Sequence, residues 1–362
     1  MRKIQLANVS QLSDYDDIID VRSPAEFAED HIPGAISAPV LNNEERARIG
    51  TLYKQVSPFE AQRLGAALIA RNIAVHLETL FHKRPREWKP LIYCWRGGQR
   101  SGAMAHIFAQ IGWRVGQLQG GYKTYRRHVI ETLETVPNNI RFRVVCGATG
   151  SGKSRLLQVL HSQGGQVLDL EQLAQHRGSL LGNIPLQPQP SQKLFETRLW
   201  HVLRSFDTRQ PVFVEAESRK IGHLSIPSAL LEKIRLSECF VIEADISARV
   251  RLLMEDYAHY LKDADLLSQA LFPLKELHGQ KTLEQWDKLA KRGEWPILVA
   301  ELLNFHYDPA YQRSTGSNFP QLENAQTLHL FTLDEAELLY VAQQLLNAPN
   351  GNRNDTDYSF QA

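Results

Sequence analysis

Phe142-Arg-Val-Val-Cys146-Gly147-Ala-Thr-Gly150-Ser151-Gly152-Lys153-Ser154 runs from an apolar, β-branched strand directly into the pattern G-x-x-x-x-G-K-[ST]. At average composition the pattern arises by chance in roughly one chain of this length in a hundred, so its flanks matter. They agree with it, because Arg155-Leu-Leu-Gln-Val-Leu160 follows with helical spacing. Strand, glycine turn and helix start together read as a P-loop. Gly147, Gly150, Ser151 and Gly152 would let backbone N–H groups turn inward around phosphate oxygens, and the helix N-terminus would add partial positive charge. Lys153 is expected to reach the terminal phosphates and Ser154 to ligate Mg2+. The pattern admits ATP or GTP as readily as another phosphorylated ligand.

Downstream, apolar runs at 166–170, 211–215 and 239–243 read as strands, with helical stretches at 250–261 and 285–290. Such alternation predicts an α/β domain with a mostly parallel sheet. Two carboxylates could complete the Mg2+ site or touch substrate. Asp169 stands at the end of the strand after the P-loop helix, and Glu217 stands just beyond Val212-Phe-Val-Glu215.

Upstream, the same alternation recurs. Asp17-Asp-Ile-Ile-Asp-Val21 and Pro90-Leu-Ile-Tyr-Cys94 read as buried strands, and Ser23 with Pro24 reads as a helix start. Cys94-Trp-Arg96-Gly97-Gly98-Gln-Arg100-Ser101 joins the second of these strands to an apolar helix at 102–111. At such a junction inward backbone N–H groups, with Arg96 or Arg100, would favour a thiolate and hold an anion beside it. That is the setting of a nucleophile. Cys146, within a strand, and Cys239, at a strand start, read as structural.

The chain's 362 residues suit two domains rather than one core. We expect the first over 1–125, a linker helix and loop over 126–140, the P-loop domain over 141–346, and a disordered polar tail over 347–362. Met1 to Leu12 lacks the apolar core of a signal peptide, and no apolar run approaches the ~20 residues that span a bilayer. Three scattered cysteines make neither a disulfide framework nor a zinc site, which suits a reducing cytoplasm. A net charge of +1 argues against a broad basic face. Two local basic clusters interleave with aromatics, His82 to Lys89 around Trp88, and Tyr122-Lys123-Thr-Tyr125-Arg126-Arg127-His128. Either could hold a phosphate backbone while its rings stack on bases, or be a solvated face.

The N-terminal residues resemble the rhodanese family from about Val9 to Lys123. Asp20-Val-Arg-Ser-Pro-Ala-Glu-Phe27, His31-Ile-Pro-Gly-Ala-Ile36 and the Cys94 loop with Gly120-Gly121-Tyr122 match its signatures in order. Sulfurtransferase loops of that family commonly hold six residues from Cys to Arg, whereas Cys94 through Arg100 is seven. The longer loop, shared with the related cell-cycle phosphatases, suits a tetrahedral phosphate-bearing donor.

Across almost its whole length the chain resembles the tRNA 2-selenouridine synthase family. The match beyond the two loops lies in Asp169-Leu-Glu-Gln-Leu-Ala-Gln-His176-Arg177-Gly178-Ser179, in Val214-Glu-Ala-Glu217-Ser-Arg219-Lys-Ile-Gly222 and in Tyr307-Asp-Pro-Ala-Tyr311. The resemblance implies a transferase that acts on wobble 2-thiouridine of tRNA. Geranyl diphosphate would first alkylate the sulfur. Selenium from selenophosphate would then replace the geranylthio group, with Cys94 as the candidate residue at the selenium donor. No organic prosthetic group is implied, and selenophosphate synthase is a candidate partner. Arg177 and Arg219 would be phosphate or tRNA clamps. His176 could shuttle a proton or be structural, and Tyr307 and Tyr311 could stack on a base or pack in the core. Two other readings stay open at this point: a nucleotide-dependent kinase with a rhodanese-like regulatory module, and a cysteine phosphatase fused to a P-loop domain.

Overall fold

The computed structural model of this protein describes residues 3–348 and 358–359. The chain divides into two compact units. Met1–Leu133 with Pro190–His201 form one, and Glu134–Gln189 with Val202–Ala362 form the other.

The first unit is built on a five-stranded sheet. Its strands are β1 (Gln5–Ala7), β2 (Asp17–Asp20), β3 (Ile36–Ser37), β4 (Pro90–Tyr93) and β5 (Gly116–Leu118), in the order β1-β5-β4-β2-β3. Every pairing is parallel. The apolar run Pro90–Tyr93 is buried along its whole length, as a central parallel strand must be. The helix Pro24–Glu29 begins as its sequence predicts. Ser23 caps it, Glu26 reaches back to the Ser23 amide, and Pro24 takes the first turn. Between β3 and β4 the chain inserts two helices, Asn43–Gln55 and Pro58–Thr79.

Aromatic rings fill this core. Phe108 meets Phe81 and Trp113 edge-on, and Trp88 meets Trp113 at 88°. This corrects the base-stacking reading of both aromatic clusters. Trp88 is buried with its Nε1 donating to Asp17, and Tyr122 and Tyr125 are buried as well. Tyr125 packs edge-on against Trp200, and Arg126 pairs with Glu196. These contacts place Pro190–His201 with the first unit. Only the polar members Lys123 and Arg127 of the second cluster are exposed. The expected linker begins inside a helix, Gly121–Thr135, followed by a short turn over Val136–Asn139.

The second unit carries a six-stranded sheet. Its strands are β6 (Phe142–Gly147), β7 (Gln166–Leu168), β8 (Val212–Glu215), β11 (Glu238–Ala244), β12 (Gln326–Leu330) and β13 (Tyr358–Ser359). The order is β13-β12-β11-β6-β8-β7, parallel throughout. A small hairpin, β9 (Lys220–Ile221) with β10 (Leu224–Ser225), stands apart from it. Leu156, Leu157 and Leu160 of the P-loop helix Lys153–Ser162 pack on Val145, Ile242 and Leu328 of the sheet. A separate helical cluster gathers around Trp286, Leu298 and Leu302.

Three local readings differ from expectation. β7 stops at Leu168 because Asp169 caps the helix Leu170–Ala174. The helix expected over 250–261 is Ile246–Asp256 followed by a separate turn Tyr260–Lys262. In the polar tail, Tyr358–Ser359 pairs with β12, and residues 349–357 and 360–362 lie outside the described residues. Cys146 and Cys239 are buried neighbours in the sheet, and the hydrogen bond that the Cys146 thiol donates to Cys239, together with burial, pushes that thiol up. A protonated, buried thiol is inert, as a structural role requires.

Candidate functional site

Strand β4 delivers Cys94 to its C-terminal end, and the helix Gln99–Ile111 starts five residues later. No side chain caps this helix, so the orphan amides of its first turn are available to a ligand. The loop between is held tightly. Gly97 has φ +65°, and a Cβ there would sit 2.6 Å from the Leu118 carbonyl. A Cβ on Gly121 would sit 2.3 Å from the Cys94 carbonyl. Gly121 thereby lets the next helix approach. The amides of Tyr122 and Lys123 donate to the carbonyls of Cys94 and Trp95 at 2.9 and 3.0 Å. Two helix N-termini thus meet at one short loop.

Cys94 itself is 4% exposed, at the floor of this cradle. Its Sγ accepts a hydrogen bond from Ser101 Oγ at 3.2 Å, and Gln117 Nε2 donates to that hydroxyl at 2.9 Å. Neither Ser101 nor Gln117 was singled out as functional from sequence. The signal for Ser101 was its place one turn into the helix, seven residues after the cysteine. The two candidate arginines separate. Arg96 is exposed, whereas Arg100 donates to Glu26 at 2.8 Å and so anchors the helix to Pro24–Glu29. Burial pushes the Glu26 carboxyl up, but Arg100, the Ser23 amide and Arg46 together outweigh it and hold Glu26 below the usual range. Arg100 is therefore already paired with a carboxylate.

Below this loop lies a buried polar network. Arg22 grips Asp20 at 2.6 Å, Tyr93 donates to the same carboxylate at 2.6 Å, and Tyr122 donates to Asp30 at 2.7 Å. The Arg22 guanidinium also lies 3.9 Å from the centre of the Tyr122 ring. The Asp20-Val-Arg motif, read as a signature in the sequence, is the joint that ties β2, β4 and the Gly121 helix.

In the second unit the P-loop geometry follows its glycines. Gly150 and Gly152 have φ +77° and +88°, and Cβ atoms there would come 2.9 Å from Leu253 and Leu333. Gly152 opens the helix Lys153–Ser162, again without a side-chain cap. Lys153 Nζ folds onto the loop's own carbonyls, Gly147 at 2.7 Å and Ala148 at 3.2 Å. Burial pushes its ammonium down, and the facing Glu171 and Glu217 push it back up.

Ser154 donates to Glu171 at 3.0 Å. Neither Asp169 nor Glu217 makes that contact. Asp169 is spent on its own helix, accepting from the Gln172 amide at 2.7 Å, and lies outside the cleft lining. Glu217 does line the cleft, and burial with the Glu171 charge pushes it up to about 8. Glu215, fully buried, accepts from the amides of Leu170 and Glu171 and leaves one oxygen without a partner. Carboxylates crowded this way ask for a cation. Among the described residues no group of three or more His, Cys, Asp or Glu side chains is arranged to hold a metal ion. Ser154, Glu171 and Glu217 are nonetheless hard oxygen donors suited to Mg2+, which takes few protein ligands and completes its shell with phosphate and water.

Arg177 also lines the cleft, stacked 4.9 Å over the Tyr257 ring and donating to the Asp256 carbonyl. Arg219 is exposed at the base of the β9–β10 hairpin and lies outside the cleft lining. His176 is buried and accepts from the Gly178 amide at 3.2 Å, so its ring holds a turn. Burial pushes its pKa down, which favours the neutral form that this bond needs. The block Tyr307 to Tyr311 serves the P-loop directly. Tyr311 accepts from the Gly147 amide at 2.8 Å. Asp308 pairs with Arg249 at 2.6 Å, and Arg249 donates twice to the Thr149 carbonyl, at 2.9 and 2.8 Å. Arg249 carries no motif signal, because only the fold brings its helix under the loop.

Comparison with known proteins follows the same division. Residues 5–128 match the rhodanese-like domain, and residues 140–292 match the tRNA 2-selenouridine synthase AAA domain. The tRNA 2-selenouridine synthase of Nitrosomonas europaea is 35% identical over 75% of this chain and 74% of its own length. This chain belongs to the tRNA 2-selenouridine synthase family. Relatives of the same name from Marinobacter nauticus and Shewanella denitrificans are 35% and 31% identical, over 87% and 92% of their lengths. The match to the Shewanella relative covers 89% of this chain and so takes in parts of both units. Among the described residues no helix is long and apolar enough to cross a membrane.

Proposed function

We propose that this chain converts wobble 2-thiouridine of tRNA to 2-selenouridine in two steps, S-geranylation and then selenation. One observation carries the reading. Two of the chain's uncapped helix N-termini stand at the ends of parallel strands beside a candidate reactive side chain, one at the Cys94 thiol and one at Lys153. Two anion cradles of different chemistry suit two phosphorylated co-substrates better than one nucleotide.

In the first step the P-loop takes the diphosphate of geranyl diphosphate. The thiocarbonyl sulfur attacks the allylic carbon, the C–O bond breaks, and pyrophosphate leaves with the electron pair. Lys153, released from the Gly147 and Ala148 carbonyls, turns to the departing charge. Ser154, Glu171 and Glu217 would hold Mg2+, which neutralises diphosphate charge when bound. In the second step selenophosphate occupies the Cys94 cradle. The selenium attacks carbon 2 of the base and the C–S bond breaks, so that geranylthiol leaves with the selenophosphate proton. Water then cleaves the P–Se bond, phosphate leaves, and the base regains its N3 proton. Alkylation is needed first because a bare thiocarbonyl sulfur is a poor leaving group. The P-loop serine and lysine equally suit a kinase, but the Cys94 cradle would then have no part in the reaction.

Mass spectrometry of nucleosides from 2-thiouridine tRNA incubated with the pure protein tests the reading. Geranyl diphosphate alone should yield S-geranyl-2-thiouridine, and addition of selenophosphate should convert it to 2-selenouridine. Selenation without the geranyl donor would overturn the two-step order. Lys153→Ala should block the first step and spare selenation of tRNA already geranylated.

A further inference from the structure

A second cavity adjoins the P-loop cleft within the same unit. It leaves about 50 Å3 open to the centre of a water molecule, and five residues line both spaces: Thr149, Ser179, Leu253, Tyr257 and Tyr307. Four of the five carry hydroxyls. Ser179 lies within hydrogen-bonding distance of the Tyr257 hydroxyl, at 3.2 Å, so this shared wall is a polar collar. Beyond it the walls are aliphatic and aromatic, with Met254, Leu298, Val299 and Leu302 among them. They come from the helices Ile246–Asp256 and Trp295–Leu302.

The cavity's polarity sorts its ligands. A purine or ribose needs convergent donors and acceptors, and the deep walls offer almost none. The sequence of surfaces is instead phosphate cradle, hydroxyl collar, hydrocarbon. Leu253 links the first and last directly, because it packs under Gly150 of the P-loop and also lines the cavity.

We infer that this cavity receives the hydrocarbon chain of a diphosphate ester whose head is held by the P-loop, and that Met254 and Val299 set the chain length it accepts. The inference rests on the allylic diphosphate reading given above. Both residues are half-buried, so changes there alter the cavity without removing a core side chain.

The test measures binding to the full chain by calorimetry with Mg2+, using pyrophosphate, ATP, and dimethylallyl, geranyl and farnesyl diphosphates. Wild type should bind geranyl diphosphate about a hundredfold tighter than pyrophosphate, because the chain is buried on binding. Val299→Phe should cut that preference to about tenfold or less while leaving pyrophosphate affinity unchanged. Met254→Ala should shift selectivity from geranyl toward farnesyl diphosphate by about tenfold. A geranyl preference that neither variant alters would overturn the cavity assignment and leave the allylic diphosphate reading standing. ATP tighter than geranyl diphosphate in wild type, or no preference over pyrophosphate, would overturn both.

Discussion

Glu171 accepts a hydrogen bond from Ser154 at 3.0 Å, so the carboxylate that meets the P-loop serine lies in a helix three residues past the strand end. If these two groups share Mg2+, Glu171→Gln should weaken Mg2+-dependent diphosphate binding about tenfold or more, as expected for loss of a charged ligand. Binding measured in EDTA should change little. Equal losses with and without Mg2+ would place Glu171 in packing alone.

Cys94→Ser should abolish selenation and leave S-geranylation near wild type, because the thiol lies in the other unit from the P-loop. Ser101→Ala should act more mildly. It removes one hydrogen bond to Sγ, worth about 0.5–1.5 kcal/mol, or roughly two- to tenfold in Cys94 alkylation by iodoacetamide. An unchanged alkylation rate across pH 6 to 9 in Ser101→Ala would remove the hydroxyl from the site's chemistry.

Glu217, pushed up to about 8 by burial and by Glu171, keeps a proton in the folded ligand-free protein that the unfolded chain releases near 4.5. Between those values the native state binds more protons, so stability falls as pH rises through the window and levels off above it. The slope is at most about 1.4 kcal/mol per pH unit for one group. Urea midpoints between pH 6 and 9 should show this decline, and Glu217→Gln should flatten it. Mg2+ competes with that proton, so its affinity should climb toward pH 8.

Asp20→Asn should destabilise the first unit by about 3–5 kcal/mol, because it leaves the buried Arg22 without its counter-charge. Thermal melting of the full chain should show the loss. A change under about 1 kcal/mol would mean that the Asp30 carbonyl and the Tyr122 ring suffice to hold Arg22.

Binding of tRNA should depend on salt through Lys123 and Arg127, the exposed cations of the Gly121–Thr135 helix. Replacing both by Ala should flatten the slope of log K against log salt by about two if each meets a phosphate. Arg126 is already paired with Glu196, so Arg126→Ala should lower stability and leave the slope alone. Titrations of labelled tRNA at several salt concentrations measure both quantities.

Cys94, Lys153 and Ser154 stand out as candidates from the chain alone because each sits in a local device. A strand end, a glycine turn and a helix start lie within about ten residues, and their chemistry follows from backbone amides that neighbouring residues orient. The same locality made the Ser23 cap and the parallel α/β class legible. Contacts between distant segments were not. Tyr311 meets an amide 164 residues earlier in the chain, and Arg249 meets a carbonyl 100 residues earlier. No periodicity encodes such a meeting. Asp169 and Glu217 both stand where a metal partner could by position, yet the Asp169 side chain satisfies a nearby helix amide, and Glu171 faces the serine instead. The rings of Tyr122 and Tyr125 looked free among basic residues, yet helical spacing turned them inward and left Lys123 and Arg127 outside. The cavity beside the P-loop exists only because helices from three separate stretches leave space between them. Packing creates that space, and packing depends on which faces meet in three dimensions.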